Sequence, residues 1–176
     1  MKLARAQVDG QVHIVSVKGD ELLDLTAGGI PYGSMFDLVA AGDEGLREAR
    51  AAELKAPVLE LARTRLLCPL ERSGKYLAIG MNYRKHVEEA IRAGIPEPKN
   101  QFWFNKQTTC LSGPFDDIEP GVTEKLDYEV ELCVVIGKKA KGVTEGDAGN
   151  YVFGYTIAND VSARDWQMHS PTFTIG

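Results

Sequence analysis

The sequence predicts a mainly β fold with short helices, of the α+β class, because strand-like runs recur along the chain while helix-like spacing stays confined to short stretches. The first part of the chain holds three such runs, Leu3–Val8, Val12–Val17 and Glu21–Leu25. The turn-forming pairs Asp9-Gly10 and Gly19-Asp20 separate them, as in β-hairpins. These residues therefore predict a small amino-terminal β domain.

Helical connectors are expected after these strands. Residues 34–41 and 45–61 carry Leu, Ala, Arg and Glu at helix-compatible spacing, and Pro57 interrupts the second stretch. Residues 68–74 are typical of a linker. We therefore predict a small amino-terminal domain with helical connectors over residues 1–68 and a second domain over residues 69–176.

The second domain is expected to contain strands joined by short helices. Strands are predicted over residues 101–104, 132–136 and 155–158. A short helix is predicted over residues 82–93, with Asn82 as its N-cap. Ser162 is expected to open another helix through a capping box in which Asp165 is the partner.

Composition excludes several classes of protein. The chain has 176 residues, of which 44% are apolar and 26% charged, with a net charge of −5. Such a balance is ordinary for a globular protein and argues against a nucleic-acid or anionic-membrane surface. The three cysteines fit neither a disulfide framework nor a zinc site. Without an apolar targeting segment, the expected location is the cytoplasm, away from membranes.

Two acidic residues form the most informative pattern. Glu129 and Glu131 lie two positions apart in an extended run, so they project from one face while Tyr128, Val130 and Leu132 face the other way. At about 4 Å and an effective dielectric of about 20, two like charges repel by about 4 kcal/mol. A bound divalent cation would relieve that repulsion. A solvated strand face explains the pattern alone equally well.

A third acid favours the metal site. Asp160 follows the strand-like run 155–158, and functional residues concentrate where regular elements end. Together Glu129, Glu131 and Asp160 offer hard oxygen donors, which suit Mg²⁺, Mn²⁺ or Ca²⁺. We predict these three residues as metal ligands.

Two further pairs are candidates for the chemistry. His86 and Glu89 lie three apart on the predicted helix, where Glu89 would orient the imidazole as a general base. A plain charged helix surface is the competing explanation, and spacing does not decide between them. Arg164 and Gln167 share one face of the later helix and together could hold a substrate carboxylate.

Taken together, these motifs resemble the fumarylacetoacetate hydrolase family. The matching segments are GMNYRKHVEE at 80–89, FWFNK at 102–106, LSGP at 111–114, DYEVEL at 127–132, VIG at 135–137, YVFGY at 151–155 and NDVSARD at 159–165. The resemblance implies a mixed β-roll preceded by the small amino-terminal domain that many bacterial members carry. It gives Glu129, Glu131 and Asp160 the metal-ligand positions. It also gives His86 and Glu89 the catalytic dyad, and Arg164 and Gln167 the substrate-carboxylate positions.

Members of this family usually continue beyond the equivalent of Gly176 with a catalytic lysine and the remainder of the β-roll. We therefore expect this chain to be the first part of a longer catalytic domain, so that the β-roll it holds is incomplete.

The same resemblance implies a metal-dependent enzyme, acylpyruvate hydrolase-like or isomerase-like, acting on a small 2-oxo acid, with Mg²⁺ or Mn²⁺ as cofactor and Ca²⁺ as an alternative. The leading expectation is hydrolytic C–C cleavage in 2,4-dioxo acids, in which His86 and Glu89 draw a proton from the attacking water. Isomerisation or decarboxylation of 2-hydroxy-dienoic diacids or oxaloacetate, in aromatic catabolism, is an alternative. An inactive truncated homologue is a further one. A homodimer is also implied.

Overall fold

A computed structural model describes residues 1–71 and 73–176. Its strands are β1 Leu3–Val8, β2 Gln11–Lys18, β3 Glu21–Asp24, β4 Val58–Glu60, β5 Arg65–Leu67, β6 Leu77–Gly80, β7 Phe102–Asn105, β8 Leu126–Asp127, β9 Val130–Ile136, β10 Val152–Asn159 and β11 Ser162–Ala163. Its α-helices are α1 Met35–Ala41, α2 Asp43–Glu53, α3 Arg84–Arg92 and α4 Arg164–Gln167. Short 3₁₀ turns cover Leu61–Arg63, Thr108–Cys110 and Glu145–Tyr151. The α+β class predicted from the sequence is confirmed.

Two compact units divide the described chain. The first contains residues 1–71, 112–118 and 130–160, and the second contains 73–111, 119–129 and 161–176. The boundary proposed near residue 68 stays a prediction. No α-helix in the described residues is both long and apolar enough to span a membrane.

The first unit is built on an antiparallel sheet in the order β4-β3-β2-β1-β5. The three strands predicted at the amino terminus are present. Successive residues of β2 face opposite sides, so Ile14 belongs to one apolar cluster and Val15 to another. The larger cluster packs Ile14 against helices α1 and α2 through Leu38 and Ala49, which is where the amphipathic helices bury their apolar stripe.

The second predicted connector helix is shorter than expected. Helix α2 ends at Glu53, and residues 58–60 form β4, which pairs with β3. The break predicted at Pro57 is therefore present, whereas the helical structure expected after it, to residue 61, is wrong. Pro57 explains this, because proline removes a helical N–H, and its carbonyl instead accepts a hydrogen bond from the backbone N–H of Asp24 at 3.0 Å.

In the second unit, β6 pairs with β7 and β8 pairs with β11, both antiparallel. The strand predicted at 101–104 is present as β7. Helix α3 begins at Arg84 rather than at Asn82, and Tyr83, with an extended backbone, occupies the N-cap position. Its cap lacks a side-chain hydrogen bond, so the prediction of Asn82 as N-cap is wrong.

The β9–β10 hairpin of the first unit has an unusual distribution of polarity. Side chains of Val130 and Ile157 are 75% and 78% exposed, whereas Glu131, Cys133 and Val135 on the opposite face of β9 are half-buried. The predicted alternation is therefore present. The carboxylate of Glu131 lies on the more protected face and the aliphatic side chains lie on the more exposed one.

Helices α1 and α2 approach closely at Gly45, the third residue of α2. A Cβ added there would overlap the carbonyl oxygen of Leu38. Alanine normally stabilises a helix interior relative to glycine by about 1 kcal/mol, but here the overlap must force the helices apart. We expect Gly45→Ala to lower the free energy of unfolding by about 1–3 kcal/mol, measured by urea denaturation. Gly33→Ala, where a Cβ meets nothing within 4 Å, is the control and should change stability by less than about 0.5 kcal/mol.

A buried polar group also links the sheet to α2. The Ser16 hydroxyl, fully buried, donates to the carboxylate of Glu53, and Lys18 Nζ lies 3.0 Å from the same carboxylate. Burial raises the pKa of Glu53, but the hydrogen bond from Ser16 and the bond and charge of Lys18 outweigh it, so the pKa is lower than its ordinary value.

A carboxyl whose pKa is depressed by folding contributes stability that is present above its unfolded pKa and lost as the pH falls through the folded one. Glu53→Gln should therefore cost about 1 kcal/mol at pH 7, and this difference from the wild type should shrink between about pH 5 and about pH 3. Chemical denaturation at both pH values measures it. The exposed Glu21→Gln is the control, and an equal pH dependence in both variants would contradict the assignment.

Candidate active site

The guanidinium of Arg164 is the centre of the candidate site in the second unit. Arg164 Nε donates to Asp127 Oδ2 at 3.0 Å, and Nη2 lies 2.9 Å from the same oxygen. Nη2 also donates to Glu129 Oε1, and Nη1 donates to Gln167 Oε1 at 3.2 Å. The guanidinium of Arg164 therefore binds the carboxylates of Asp127 and Glu129 and the side-chain amide of Gln167.

The local fold positions this cation. In the β8–β11 ladder Ser162 lies opposite Asp127, and the backbone N–H of Arg164 donates to the carbonyl of Lys125 at 3.0 Å. Arg164 then begins α4, whose geometry places residues three apart on one face. The structure thus brings Arg164 and Gln167 together. Their role in substrate binding stays a prediction.

The charges perturb one another in the expected directions. Hydrogen bonding from Arg164 and from the backbone N–H of Tyr128 lowers the pKa of Asp127 below its ordinary value. Burial lowers the pKa of Arg164, but the hydrogen bonds and charges of Glu129 and Asp127 outweigh it and raise the pKa overall. Asp127 and Arg164 are therefore both ionised at neutral pH.

Asp165 anchors α4, although in a different way from the sequence prediction. Ser162 lies in β11 rather than at an N-cap, and Ala163 precedes the helix without a side-chain cap. The predicted capping box is therefore wrong. Instead Asp165 accepts hydrogen bonds from the Thr123 hydroxyl and from the backbone N–H of Glu124 at 3.0 Å. The Thr123 and Glu124 bonds also lower the pKa of Asp165.

The remaining predicted ligands belong to the first unit. Glu131 lies in β9 opposite Ala158, and Asp160 directly follows the last residue of β10. Both are half-buried. Across the described part of the chain, no group of three or more His, Cys, Asp or Glu side chains is arranged to hold a metal ion. The donor set itself, carboxylate oxygens only, fits a hard cation such as Mg²⁺ or Mn²⁺. The metal assignment of Glu129, Glu131 and Asp160 stays a prediction.

His86 and Glu89 both lie on α3 and are exposed to solvent. The described structure shows no hydrogen bond between their side chains. Their spacing on the helix is as expected, and their function as a dyad stays a prediction.

Asp127 contacts the predicted site residue Arg164 but is not among the residues that the sequence predicts for the site. The sequence does contain a signal, because the alternation that predicts a common face for Glu129 and Glu131 extends back to Asp127. Its partner Arg164 lies 37 positions away, and such a pairing is not visible in a local pattern.

Comparison with known protein families assigns the chain to one of them. Residues 75–175 match the family described as fumarylacetoacetate (FAA) hydrolase C-terminal. This match covers more than half of the chain, and it includes every predicted site residue. The chain belongs to the fumarylacetoacetate hydrolase family, as its motifs indicated.

Similar proteins include a tautomerase and two hydrolases. A mitochondrial oxaloacetate tautomerase of Xenopus laevis is 38% identical over 85% of this chain and 47% of its own length. A fumarylacetoacetate hydrolase from Exiguobacterium antarcticum superposes with a TM-score of 0.80 at 32% identity, over 99% of this chain and 60% of that one. A maleylpyruvate hydrolase from Sphingobium, solved with manganese (II) ion and pyruvate, gives a TM-score of 0.73 at 30% identity, over 99% of this chain and 62% of that one.

These matches confirm the family and its fold, and the chain spans about half to three fifths of the length of these relatives. Hydrolases and a tautomerase are both among them.

The interaction of Asp165 with residues 123–124 can be tested directly. Asp165→Asn removes the charge that the Glu124 N–H bonds to, and charge-assisted hydrogen bonds are the stronger ones. We expect faster hydrogen exchange at the Glu124 amide and a lower melting temperature. Asp147→Asn is a matched control, because Asp147 accepts from Thr144 only three positions away, and it should leave exchange at Glu124 unchanged. Unaltered exchange in Asp165→Asn would mean that the contact does not order this segment.

Proposed function

We propose that this chain carries residues of the active site of a divalent-metal-dependent enzyme that hydrolyses a C–C bond in 2,4-dioxo acids. The observation that carries the proposal is the family match over residues 75–175, which contains every predicted site residue. Glu129, Glu131 and Asp160 would hold the metal, Mg²⁺ or Mn²⁺ and less favourably Ca²⁺. The Sphingobium relative crystallised with manganese (II) ion and pyruvate supports the choice of a hard cation and a 2-oxo acid. When bound, such an ion supplies Lewis-acid stabilisation of negative charge on oxygen.

Other residues of the chain would bind the substrate and transfer the proton. Arg164 and Gln167 would bind and orient the substrate carboxylate, since a guanidinium matches a carboxylate in geometry and charge. His86, oriented by Glu89, would take a proton from the water that attacks the carbonyl distal to the carboxylate. The exposed position of α3 residues leaves His86 accessible to that water.

A second candidate activity has its own support. The Xenopus relative named as an oxaloacetate tautomerase matches 85% of this chain, so proton transfer without bond cleavage is the alternative. Decarboxylation of oxaloacetate belongs to the same alternative, because it starts from the same substrate and, like tautomerisation, forms an enolate of a 2-oxo acid. An inactive homologue, a homodimeric assembly and a cytoplasmic location also stay predictions.

An assay of the purified protein with Mg²⁺ or Mn²⁺ and a panel of substrates tests this proposal. Acylpyruvates should yield pyruvate and a free acid if the enzyme is a hydrolase. Oxaloacetate should lose its enol absorbance, without release of CO₂, if it is a tautomerase. Product analysis distinguishes the two, and CO₂ release identifies a decarboxylase.

His86→Ala should lower turnover by about 10²–10⁴-fold, the usual contribution of a general base, without changing metal affinity. Lys85→Ala, at the neighbouring exposed position of α3, is the control and should retain activity. Equal turnover in His86→Ala and the wild type would exclude His86 as the base.

Binding can be measured without turnover. Oxalate is a planar mimic of the pyruvate enolate, and calorimetry with Mn²⁺ and again with EDTA reports whether an anion site depends on the metal. We expect binding only with Mn²⁺, and its loss in Glu131→Ala. Binding that persists in EDTA would contradict the metal assignment.

A further inference from the structure

We propose that Asp127 is a positioning residue, which holds one edge of the Arg164 guanidinium so that the other edge, beside Gln167, faces the carboxylate of the substrate. This inference rests on the proposed function and extends it to a residue outside the predicted site.

The contacts of the guanidinium are divided by edge. Nε and Nη2 both lie within 3.0 Å of Asp127 Oδ2, so the carboxylate of Asp127 holds that edge. On the opposite side, Nη1 donates to Gln167 Oε1 at 3.2 Å. Nη1 carries a second N–H beyond the one that Gln167 accepts. The amide nitrogen of Gln167 supplies further donors, and an incoming carboxylate needs donors of this kind.

Asp127 is itself fixed by the backbone. Asp127 lies in β8 and pairs with Ser162, which precedes Arg164 by two residues. The Oδ1 atom of Asp127 accepts a hydrogen bond from the backbone N–H of Tyr128 at 2.9 Å. One carboxylate oxygen is thereby tied to the main chain while the other holds Arg164. The plane of the guanidinium is therefore set by a strand rather than by a mobile loop.

Glu129 gives this orientation a specific purpose. Arg164 Nη2 also donates to Glu129, which is a predicted metal ligand. Among the described residues Asp127 is the group shown at the Nε edge, so its removal would favour a rotation of the guanidinium towards Glu129. Such a rotation would turn Nη1 away from the substrate. A misplacement of about 1 Å in a binding group can cost about 10²-fold in rate.

Stability is a weak explanation for the Asp127–Arg164 pair. The two side chains are 47% and 33% exposed, and ion pairs with this much solvent access contribute little to folding. Its geometry, with two guanidinium nitrogens on one oxygen, matters for orientation more than for folding energy.

The direction of the change in oxalate affinity distinguishes a positioning role of Asp127 from a purely electrostatic one. Removal of a negative charge beside an anion site should strengthen anion binding, whereas loss of orientation should weaken it. Oxalate is titrated into the wild type, Asp127→Ala and Asp127→Asn at saturating Mn²⁺, so that differences in metal affinity do not enter. We expect Asp127→Ala to bind oxalate about tenfold more weakly. Asp127→Asn keeps the shape and an acceptor oxygen and should show a smaller loss.

Two controls make the result specific. Glu124→Ala removes a carboxylate from the segment whose backbone N–H bonds to Asp165, and it should leave oxalate affinity unchanged or slightly higher. In an Arg164→Lys background the ammonium has no plane to orient, so adding Asp127→Ala should change the affinity by no more than about twofold. Melting temperatures of all variants show that each one is folded.

The outcomes distinguish this inference from the proposed function. If the wild type binds Mn²⁺ and oxalate but Asp127→Ala binds oxalate equally or more tightly, the positioning role is wrong and the proposed function stands. If Asp127→Ala weakens binding equally in the Arg164→Lys background, Asp127 does not act through Arg164 and the inference is also wrong. If the wild type binds neither Mn²⁺ nor oxalate, both proposals fall.

Discussion

The candidate site of the second unit depends on one positive charge, the guanidinium of Arg164, which binds both Asp127 and Glu129. Two carboxylates so close in sequence repel each other unless a cation lies between them, and Arg164 supplies it. The cation is in place because β8 and β11 pair and because Asp165 ties α4 to residues 123–124. Backbone pairing, helix position and charge balance are therefore a single arrangement, in which a change to one member alters the others.

Local patterns predicted the local structure well. The amino-terminal strands were predicted because their alternation and turn residues act within a few positions of each other. The end of α2 and the start of α3 were placed incorrectly, since those boundaries depend on tertiary pairing. Residues 58–60 form a strand because β3 presents an unpaired edge to them, and nothing within the segment itself encodes that edge.

The site shows the same division. Helical spacing predicted the approach of Gln167 to Arg164, which the structure shows, whereas the common face that period-two alternation predicts for Glu129 and Glu131 stays a prediction. Sequence motifs predicted the family. The Asp127–Arg164 pair and the Thr123–Asp165 bond join residues about forty positions apart, and only the folded chain brings them together. The capping motif at Ser162 predicts the wrong local structure because Ser162 and Ala163 pair with β8, a strand that is distant in sequence and invisible to a local motif.

The inverted polarity of the β9–β10 hairpin means that the position of Glu131 is controlled from a distance. Hydrophobic burial normally fixes strand register by drawing every apolar side chain to one face, and here it acts chiefly at one end, where Val135 and Phe153 pack against the main apolar cluster. Val135 shares a strand face with Glu131, about 13 Å along β9. The packing of Val135 and Phe153 at that end therefore determines how precisely the carboxylate of Glu131 is positioned. A change that loosens this packing should also displace Glu131.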